Sequence, residues 1–189
     1  IEAVLLRWRR IDWLVTSAGQ VEPALFLEAD EAEFERLMAV NYFGTLNLVR
    51  PVARHMATRG EGRITLVSSA AAFAGVAGYA AYGASKFAVR GLAETLHVEL
   101  APLGISVGLA MPPDTDTPQL AGEALKRPEA TRRISAGGGV LSADQVAEAI
   151  ISGALAGRFL LAPGWLMALY GWFHSLYAPF FRRNQISVL

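Results

Sequence analysis

The sequence contains no cysteine. A disulfide framework, a thiol nucleophile and a cysteine-based metal site are therefore excluded, and a reducing compartment suits such a chain. Histidine is also scarce, and His55, His97 and His174 are too scattered in the sequence to suggest a metal cluster. Acidic and basic residues balance at 17 each, so no excess of charge indicates nucleic-acid binding.

The first eight residues resemble the last turns of an amphipathic helix rather than a signal peptide. A signal peptide would carry a basic start, an apolar run and a small-residue cleavage site. Because an initiator methionine is also missing, we expect the sequence to begin within a longer protein. Its 189 residues, 53% of them hydrophobic, are sufficient for one domain with a substantial core.

Short apolar runs rich in β-branched residues alternate with helical patterns along the chain. Four such runs predict buried strands, at residues 11–16, 63–69, 105–110 and 158–162. Alternation of strands and helices is typical of parallel sheets with right-handed crossovers. The sequence therefore predicts an α/β fold, in which a Rossmann-like parallel sheet is flanked by helices.

Two long helical patterns and one polar segment connect the predicted strands. The first pattern runs from Asp30 to about Arg59, with Pro51 as the expected site of a kink, and the second covers residues 82–102. Residues 119–140 are polar and include three consecutive glycines. This segment is predicted to form a mobile lid or a surface segment.

Tyr82 and Lys86 stand four residues apart within the second helical pattern. This spacing places a phenol and an ammonium on the same helix face, one turn apart. A nearby ammonium favours the phenolate, so we expect Lys86 to lower the pKa of Tyr82 from about 10 toward neutral pH. The pair therefore predicts a general acid or base.

Three of the predicted strands end in small or hydroxylated residues, namely residues 17–19, Ser69 and residues 112–117. The carboxyl ends of parallel strands lie at one edge of a sheet, so we expect these loops to converge above the Tyr82 helix. Asn41 lies on the otherwise apolar side of the first long helix, where a buried amide needs partners. It either satisfies a kinked backbone or orders a water near a site, and the two roles are compatible.

Asn41, Ser69, Tyr82 and Lys86 together resemble the signature of the short-chain dehydrogenase/reductase family, in which the serine precedes the tyrosine by thirteen residues as it does here. The resemblance implies that Tyr82 donates a proton to a carbonyl while a nicotinamide cofactor delivers hydride to its carbon. It also implies that Ser69 holds the substrate oxygen and that Lys86 bonds the nicotinamide ribose. Asn41 would position a water that relays protons to Lys86. In such an arrangement, hydrogen-bond donors that are already in position stabilise the negative charge that develops on the carbonyl oxygen.

Ala18 and Gly19 match the loop under the cofactor in this family, although Thr16 and Ser17 stand where the family usually has asparagines. The family fold begins with a strand and a glycine-rich loop that binds the pyrophosphate, and the sequence contains no such loop. We therefore expect this chain to lack the N-terminal cofactor-binding strands and the residue that selects NAD or NADP. The strand at residues 11–16 would then be an exposed sheet edge.

A narrower resemblance rests on the unusual Pro-Pro-Asp-Thr-Asp-Thr-Pro loop at residues 112–118 and on residues 82–94. These stretches resemble the 3-ketodihydrosphingosine reductases, a subfamily that reduces a long-chain 3-keto amine with NADPH in sphingolipid synthesis. The resemblance implies that Pro112, Thr115 and Thr117 lie near the nicotinamide carboxamide or the pyrophosphate. It also implies a lipid-like ketone as substrate and NADPH as cofactor.

Two other functions stay open from the sequence. The first alternative is another reductase of the same family, acting on a steroid, a retinoid or an acyl ketone. The second is a noncatalytic interaction module. Such a module would pair through the helices that carry Asn41 and Tyr82. The same two helices are the expected contact between copies if the enzyme is a homo-oligomer.

The C-terminal part of the chain is aromatic-rich, and residues 159–181 contain no Asp, Glu, Lys or Arg. The expected organisation is therefore a reductase body at residues 1–162 and a tail at residues 163–189. The tail helix would be about 20 Å long, which is short for a hydrocarbon core. Three arrangements stay open, namely docking on a membrane surface through residues 164–181, packing on the body or a partner, and a membrane span. The expected location is cytoplasmic, with docking on the cytosolic face of a membrane.

Overall fold

The computed structural model describes residues 1–136 and 139–188, with the exception of the Leu166 side chain. Four parallel strands form the main sheet in the order β1-β2-β3-β6, so β1 is an edge strand, as expected. Their bounds are Trp13–Thr16 (β1), Gly62–Val67 (β2), Ile105–Ala110 (β3) and Leu160–Leu161 (β6). Each strand predicted from an apolar run is present, although β6 is only two residues long. The predicted α/β fold with a parallel sheet is therefore confirmed.

Helices connect the strands and flank the sheet. The described residues form α1 (Glu2–Trp8), α2 (Glu31–Leu37), α3 (Gly44–Arg59), α4 (Ala80–Leu100), α5 (Pro118–Lys126), α6 (Glu129–Ser135), α7 (Ala143–Leu155) and α8 (Trp165–Ile186). Asp30 begins α2 by accepting a hydrogen bond of 3.0 Å from the Ala32 amide. Ser142 and Gln145 form a capping box at the start of α7.

The first long helical pattern forms α2 and α3, which are joined by a π-helix at Met38–Phe43. In this π turn the Gly44 amide donates to the carbonyl of Ala39, five residues earlier, instead of the usual four. Pro51, where the sequence predicted a kink, lies within α3. The change in helix geometry therefore falls on the residues around Asn41.

The main core lies between the sheet and the pair of helices α3 and α4. It is built from buried side chains of the central strands and these helices, including Val49, Val52, Met56, Ile64, Leu66, Val89, Ile105, Val107 and Leu109. A smaller cluster joins Ala110 and Leu161 to Val146 and Ile150 of α7. Because Leu109 and Ala110 are adjacent in β3 and belong to different clusters, helices cover both faces of the sheet.

Two short strands, β4 (Asp114–Asp116) and β5 (Val140–Ser142), form a separate parallel pair. The sequence predicted a loop at β4, and this prediction is wrong because three residues are too few to show an alternating pattern. The polar segment predicted as a lid or surface segment is helical over α5 and α6. Gly137 and Gly138 of that segment lie outside the described residues.

The C-terminal helix α8 is 22 residues long, which exceeds the length predicted for the tail helix. Its Met167 side chain is buried in the main core, so the start of α8 packs on the body of the protein. None of the helices in the described part of the chain is both long enough and apolar enough to cross a membrane.

Candidate active site

Tyr82 and Lys86 lie one turn apart near the start of α4, as their spacing predicted. The Lys86 Nζ lies 5.8 Å from the centroid of the Tyr82 ring and donates a hydrogen bond of 3.2 Å to the Val67 carbonyl at the end of β2. Only 5% of the Lys86 surface is exposed. The bond to Val67 uses one of the three hydrogens of the ammonium, so the buried cation can donate others.

Ser69 follows β2, and its side chain lines the same cleft as that of Tyr82. The Ser69 Oγ also accepts a hydrogen bond of 3.1 Å from the Ala71 amide at the start of a short 3-10 helix. The neighbouring Ser68 is buried and donates to the Lys86 carbonyl at 2.8 Å. Ser68 therefore fastens the end of β2 to the part of α4 that carries the tyrosine and the lysine.

Asn41 lies in the π turn, with 1% of its surface exposed. Its Nδ2 donates to the Gln20 carbonyl at 2.9 Å and to the Ser85 Oγ at 2.8 Å, and its Oδ1 accepts from the Gln20 amide at 2.8 Å. The side chain therefore ties the loop after β1 to α4. This favours the backbone-satisfying role considered for Asn41, although the backbone concerned belongs to that loop rather than to its own helix.

Gly19 brings the same loop directly against Asn41 and Lys86. A Cβ at Gly19 would lie 3.2 Å from the Asn41 Oδ1 and 3.2 Å from the Lys86 Nζ, which is tighter than ordinary contact. The missing side chain leaves a cradle beside the buried ammonium, where a sugar hydroxyl could accept a hydrogen bond. These residues fit the nicotinamide ribose of a dinucleotide cofactor.

The side chains of Tyr82 and Lys86 have shifted pKa values because both are buried. Burial raises the pKa of Tyr82 to about 12, although the nearby Ser69 hydroxyl acts in the opposite direction. Burial lowers the pKa of Lys86 to about 8. The prediction of a lowered Tyr82 pKa is therefore wrong for this structure, because loss of phenolate solvation outweighs an ammonium 5.8 Å from the ring. At neutral pH Tyr82 holds its proton.

A cleft of about 770 Å³ lies beside these residues. Its wall includes most of the residues selected from the sequence, namely Ser17, Gly19, Ser69, Tyr82, Lys86, Pro112, Thr115 and Thr117. The predicted convergence of the three strand ends is therefore confirmed. Asn41 and Ala18 are not among the described wall residues. Asn41 is buried against Gly19, and Ala18 is exposed.

The hydroxyls of Thr115 and Thr117 bind the backbone of their own loop. Thr115 Oγ1 donates to the Pro113 carbonyl at 2.9 Å. Thr117 Oγ1 donates to the Thr115 carbonyl at 3.2 Å and accepts from the Leu120 amide at 3.3 Å, which caps α5. These contacts fix the shape of the loop on the cleft side.

Sequence reasoning missed a polar network beside Tyr82, formed by Tyr79, Asp114, Glu123 and Arg127. The Tyr79 hydroxyl donates to Glu123, and the Tyr79 ring packs edge-on against Tyr82 with the centroids 5.5 Å apart. Arg127 is buried and donates to Glu123 at 2.8 Å and to both oxygens of Asp114 at 2.6 and 2.9 Å. Burial and the Glu123 carboxylate raise the pKa of Tyr79. A helix prediction for α5 would have exposed the four-residue spacing of Glu123 and Arg127.

Further contacts hold α5 and α6 against the loop after β1 and against the chain that leads into α4. Lys126 forms an ion pair of 2.7 Å with Glu22, and the Thr131 hydroxyl donates to the Ala77 carbonyl at 2.9 Å. Gly78 has a φ of 86°, and a Cβ there would meet the Thr131 Oγ1 at 2.0 Å. This close approach requires glycine and brings α6 onto the loop before Tyr82.

The family model of short chain dehydrogenases matches residues 1–127. A 3-ketodihydrosphingosine reductase of Dictyostelium discoideum is 41% identical over 187 residues, which cover 92% of this chain and 56% of the relative. A short-chain dehydrogenase structure from Streptomyces avermitilis has a TM-score of 0.75 and 29% identity, covering 98% of this chain and 73% of that one. A gluconate 5-dehydrogenase from Burkholderia cenocepacia in complex with NADP and tartrate has a TM-score of 0.72 and 26% identity, covering 84% of this chain and 65% of that one.

These comparisons confirm both levels of the resemblance found in the sequence, the broad family and the similarity to 3-ketodihydrosphingosine reductases. They also support an NADP-type cofactor at the level of the family. The chain spans about half the length of the curated relatives it matches. The family model matches most of the chain, the four-residue signature is present and the fold is shared. This chain therefore belongs to the short-chain dehydrogenase family.

Proposed function

We propose that the protein reduces 3-ketodihydrosphingosine to dihydrosphingosine in sphingolipid synthesis, with NADPH as the reductant. The observation that carries the proposal is that Tyr82, Ser69 and Lys86 lie together in the wall of one cleft. The 41% identity to the Dictyostelium reductase supports this choice of ketone. Another ketone substrate within the same family is the alternative.

In this proposal Tyr82 and Ser69 bind the carbonyl oxygen of the substrate and Tyr82 gives it a proton. The pKa of Tyr82, raised to about 12, keeps the phenol protonated at neutral pH and available as a general acid. When bound, a reduced nicotinamide supplies hydride to the carbonyl carbon. The carbonyl thus gains one hydride on carbon and one proton on oxygen, which makes the alcohol.

Lys86 holds the ribose of the cofactor in this proposal, through the hydrogens that Val67 leaves free. Its ammonium also stabilises the phenolate that Tyr82 becomes after donating its proton. Asn41 is a positioning residue that keeps Gly19 and Gln20 beside the lysine. The water relay that the family resemblance implies for Asn41 is part of the proposal.

The proposed cofactor contacts are Ala18 and Gly19 on one side of the cleft and Pro112, Thr115 and Thr117 on the other. Gly19, Pro112 and both threonines line the cleft, which supports their place in this set. The preference for NADPH over NADH is supported by the NADP held by the similar Burkholderia enzyme.

A turnover assay tests the proposed reaction. The full-length protein that carries this sequence is mixed with 3-ketodihydrosphingosine and either NADPH or NADH, and the loss of reduced cofactor is followed by absorbance. We expect turnover with NADPH and formation of dihydrosphingosine. Turnover of a steroid, a retinoid or an acyl ketone without turnover of the sphingoid ketone would overturn the choice of substrate.

We also propose that the tail, residues 163–189, docks the reductase body, residues 1–162, on the cytosolic surface of a membrane. The outer face of α8 carries large exposed side chains, including Trp165, Trp172, Leu176 and Phe180. Arg182 and Arg183 follow and are exposed, so they are placed to meet anionic headgroups. Aromatic residues beside basic ones are typical of helices that lie in the membrane interface.

Flotation with anionic liposomes tests the docking. We expect the wild type to float and the Trp172→Ser/Phe180→Ser variant to stay largely at the bottom of the gradient. The matched control is Leu27→Ser, which removes an exposed apolar residue from a different surface. Equal flotation of the wild type and the double variant would refute membrane docking.

A second copy of the chain is the proposed partner of the α3 and α4 surface. Apolar residues are exposed on or beside these helices, at Phe43, Leu48, Phe87 and Val98. Light scattering after gel filtration should show a dimer or larger assembly for the wild type and smaller particles for Phe87→Glu. Leu27→Glu is the control. A wild-type monomer at all concentrations would exclude this contact.

A further inference from the structure

Helix α8 carries two faces, and the face opposite the proposed membrane surface lines the cleft. Its cleft residues follow helical spacing, at Met167, Tyr170, His174, Tyr177 and Phe181. The match to the family model ends at residue 127, so this wall comes from a part of the chain outside that match. The inner face of α8 is therefore a place where substrate selection can differ from the rest of the family.

Three rings form a stacked ladder along this inner face. The Tyr170 and Tyr177 rings have centroids 5.1 Å apart and planes 27° apart, and the Tyr177 and Phe181 rings are 5.7 Å and 30° apart. At a rise of 1.5 Å per residue, Tyr170 to Phe181 spans about 17 Å of helix. The ladder is a long, largely apolar strip.

Buried side-chain contacts hold the strip in place. Gln185 is 6% exposed and makes two bonds to the loop before α4, with Nε2 donating to the Gly75 carbonyl and Oε1 accepting from the Ala77 amide, both at 2.8 Å. Earlier on α8, the ring Nε2 of His174 lies 3.0 Å from a guanidinium nitrogen of Arg90 on α4. The wall is thus fixed before a ligand arrives, which reduces the entropy lost on binding.

We propose that the inner face of α8 binds the alkyl chain of the ketone substrate and that Gln185 is a positioning residue for this wall. The identity of the ligand rests on the proposed function. The ladder shares one cleft with Tyr82 and Ser69, and the cleft is lined by further apolar residues, namely Phe73, Val76, Leu120 and Ile134. The cleft volume of about 770 Å³ lies in the range that encloses an organic ligand. An open strip of stacked rings suits a linear chain better than a rigid polycyclic ketone.

Equilibrium binding tests the wall without requiring turnover. Dihydrosphingosine and a short-chain homologue are titrated into the full-length protein below their micelle concentrations, with tryptophan fluorescence or calorimetry as the readout. We expect affinity to rise by about fourfold for each buried CH2 group. Phe181→Ala should weaken binding of the long-chain compound by about tenfold and leave the short-chain compound unchanged.

Phe180→Ala is the matched control, because Phe180 is the neighbouring phenylalanine on the outer face and is 73% exposed. It should change neither affinity. Gln185→Ala is the second variant, and it should reduce the long-chain preference while short-chain binding is kept. Equal affinities of the two compounds for the wild type, or equal losses in Phe180→Ala and Phe181→Ala, would overturn the proposal.

The outcome is separable from the proposed reaction. Tyr82→Phe removes the proton donor and should keep the chain-length preference, because the phenol lies at the carbonyl end of the ligand. Long-chain preference without ketone reduction would support the wall and refute the reaction. Reduction of the ketone with no preference for chain length would support the reaction and refute the wall.

Discussion

The two sides of the cleft are built by different kinds of interaction. The floor, formed by the ends of β1, β2 and β3 with α4, is tied together by hydrogen bonds from buried side chains to backbone groups, such as those of Asn41 and Lys86. The cover, formed by β4, β5, α5, α6 and α8, is joined to the rest of the protein by side chains that reach across, such as Lys126, Thr131 and Gln185. The floor is therefore built around buried polar side chains, whereas the cover depends on a few side-chain contacts between distant segments.

The largest expected effect separates the tyrosines of the two sides. Tyr82→Phe on the floor should lower kcat by about 10²–10⁴-fold, because the general acid is lost while the ring still packs. Tyr177→Phe on the cover should leave kcat nearly unchanged. Steady-state kinetics with thermal melting checks both. A full biological effect in Tyr82→Phe cells would instead point to a noncatalytic interaction module.

A second experiment measures how strongly the cover depends on one cation. Arg127→Met should destabilise the protein by about 3–5 kcal/mol, because the buried Glu123 loses its counterion. Urea unfolding gives the free energy. The control Arg132→Met removes an exposed ion pair with Glu129 and should cost less than about 1 kcal/mol. Similar losses in both variants would show that the cover does not depend on the buried cluster.

The floor should show the opposite behaviour when its cation is removed. Burial lowers the pKa of Lys86 to about 8 from its ordinary value of 10.5, so the folded state is penalised for keeping the charge. Lys86→Met should therefore stabilise the fold below pH 8, by up to about 3 kcal/mol, while it abolishes turnover.

The pH dependence of this gain has a defined sign. Between pH 8 and about 10.5 the unfolded chain binds more protons at Lys86 than the folded one, so wild-type stability rises relative to Lys86→Met. Thermal melts across this range should show the two proteins converge. The control is Lys126→Met, which removes a lysine whose side chain is 59% exposed. A constant difference across the range would contradict the assignment.

The smallest expected effect concerns two glycines. Gly19→Ala should destabilise by about 1 kcal/mol, because its Cβ would crowd Asn41 and Lys86 at 3.2 Å. Gly91→Ala in α4 should stabilise by about 0.5–1 kcal/mol, because the Cβ meets no described atom within 4 Å and alanine favours the helix. Chemical unfolding measures both signs. A Gly19→Ala variant that is as stable as the wild type, or more stable, would show that the space beside Gly19 is not tight.

Sequence reasoning predicted the floor well because its signals are local. The apolar runs of β1 to β3 and the Tyr82–Lys86 spacing can be recognised within a few residues, and parallel topology then brings the strand ends together. The predicted direction of the Tyr82 pKa shift was wrong, because the burial of the phenol depends on the whole fold. The pairing of β4 with β5 and the bonds of Gln185 join residues far apart in the chain, and no periodic pattern marks them.

The π turn has a genetic consequence. A turn closed by five residues holds one residue more than an α-helical turn, so Asn41 depends on the length of the segment as well as on its own identity. Deleting one codon between Met38 and Phe43 would remove the extra residue, so the turn would close as an ordinary α-helical turn and Asn41 would change its position relative to the loop after β1. Substitutions in this segment can be tolerated singly, whereas a one-residue change in length displaces the asparagine from the loop it holds.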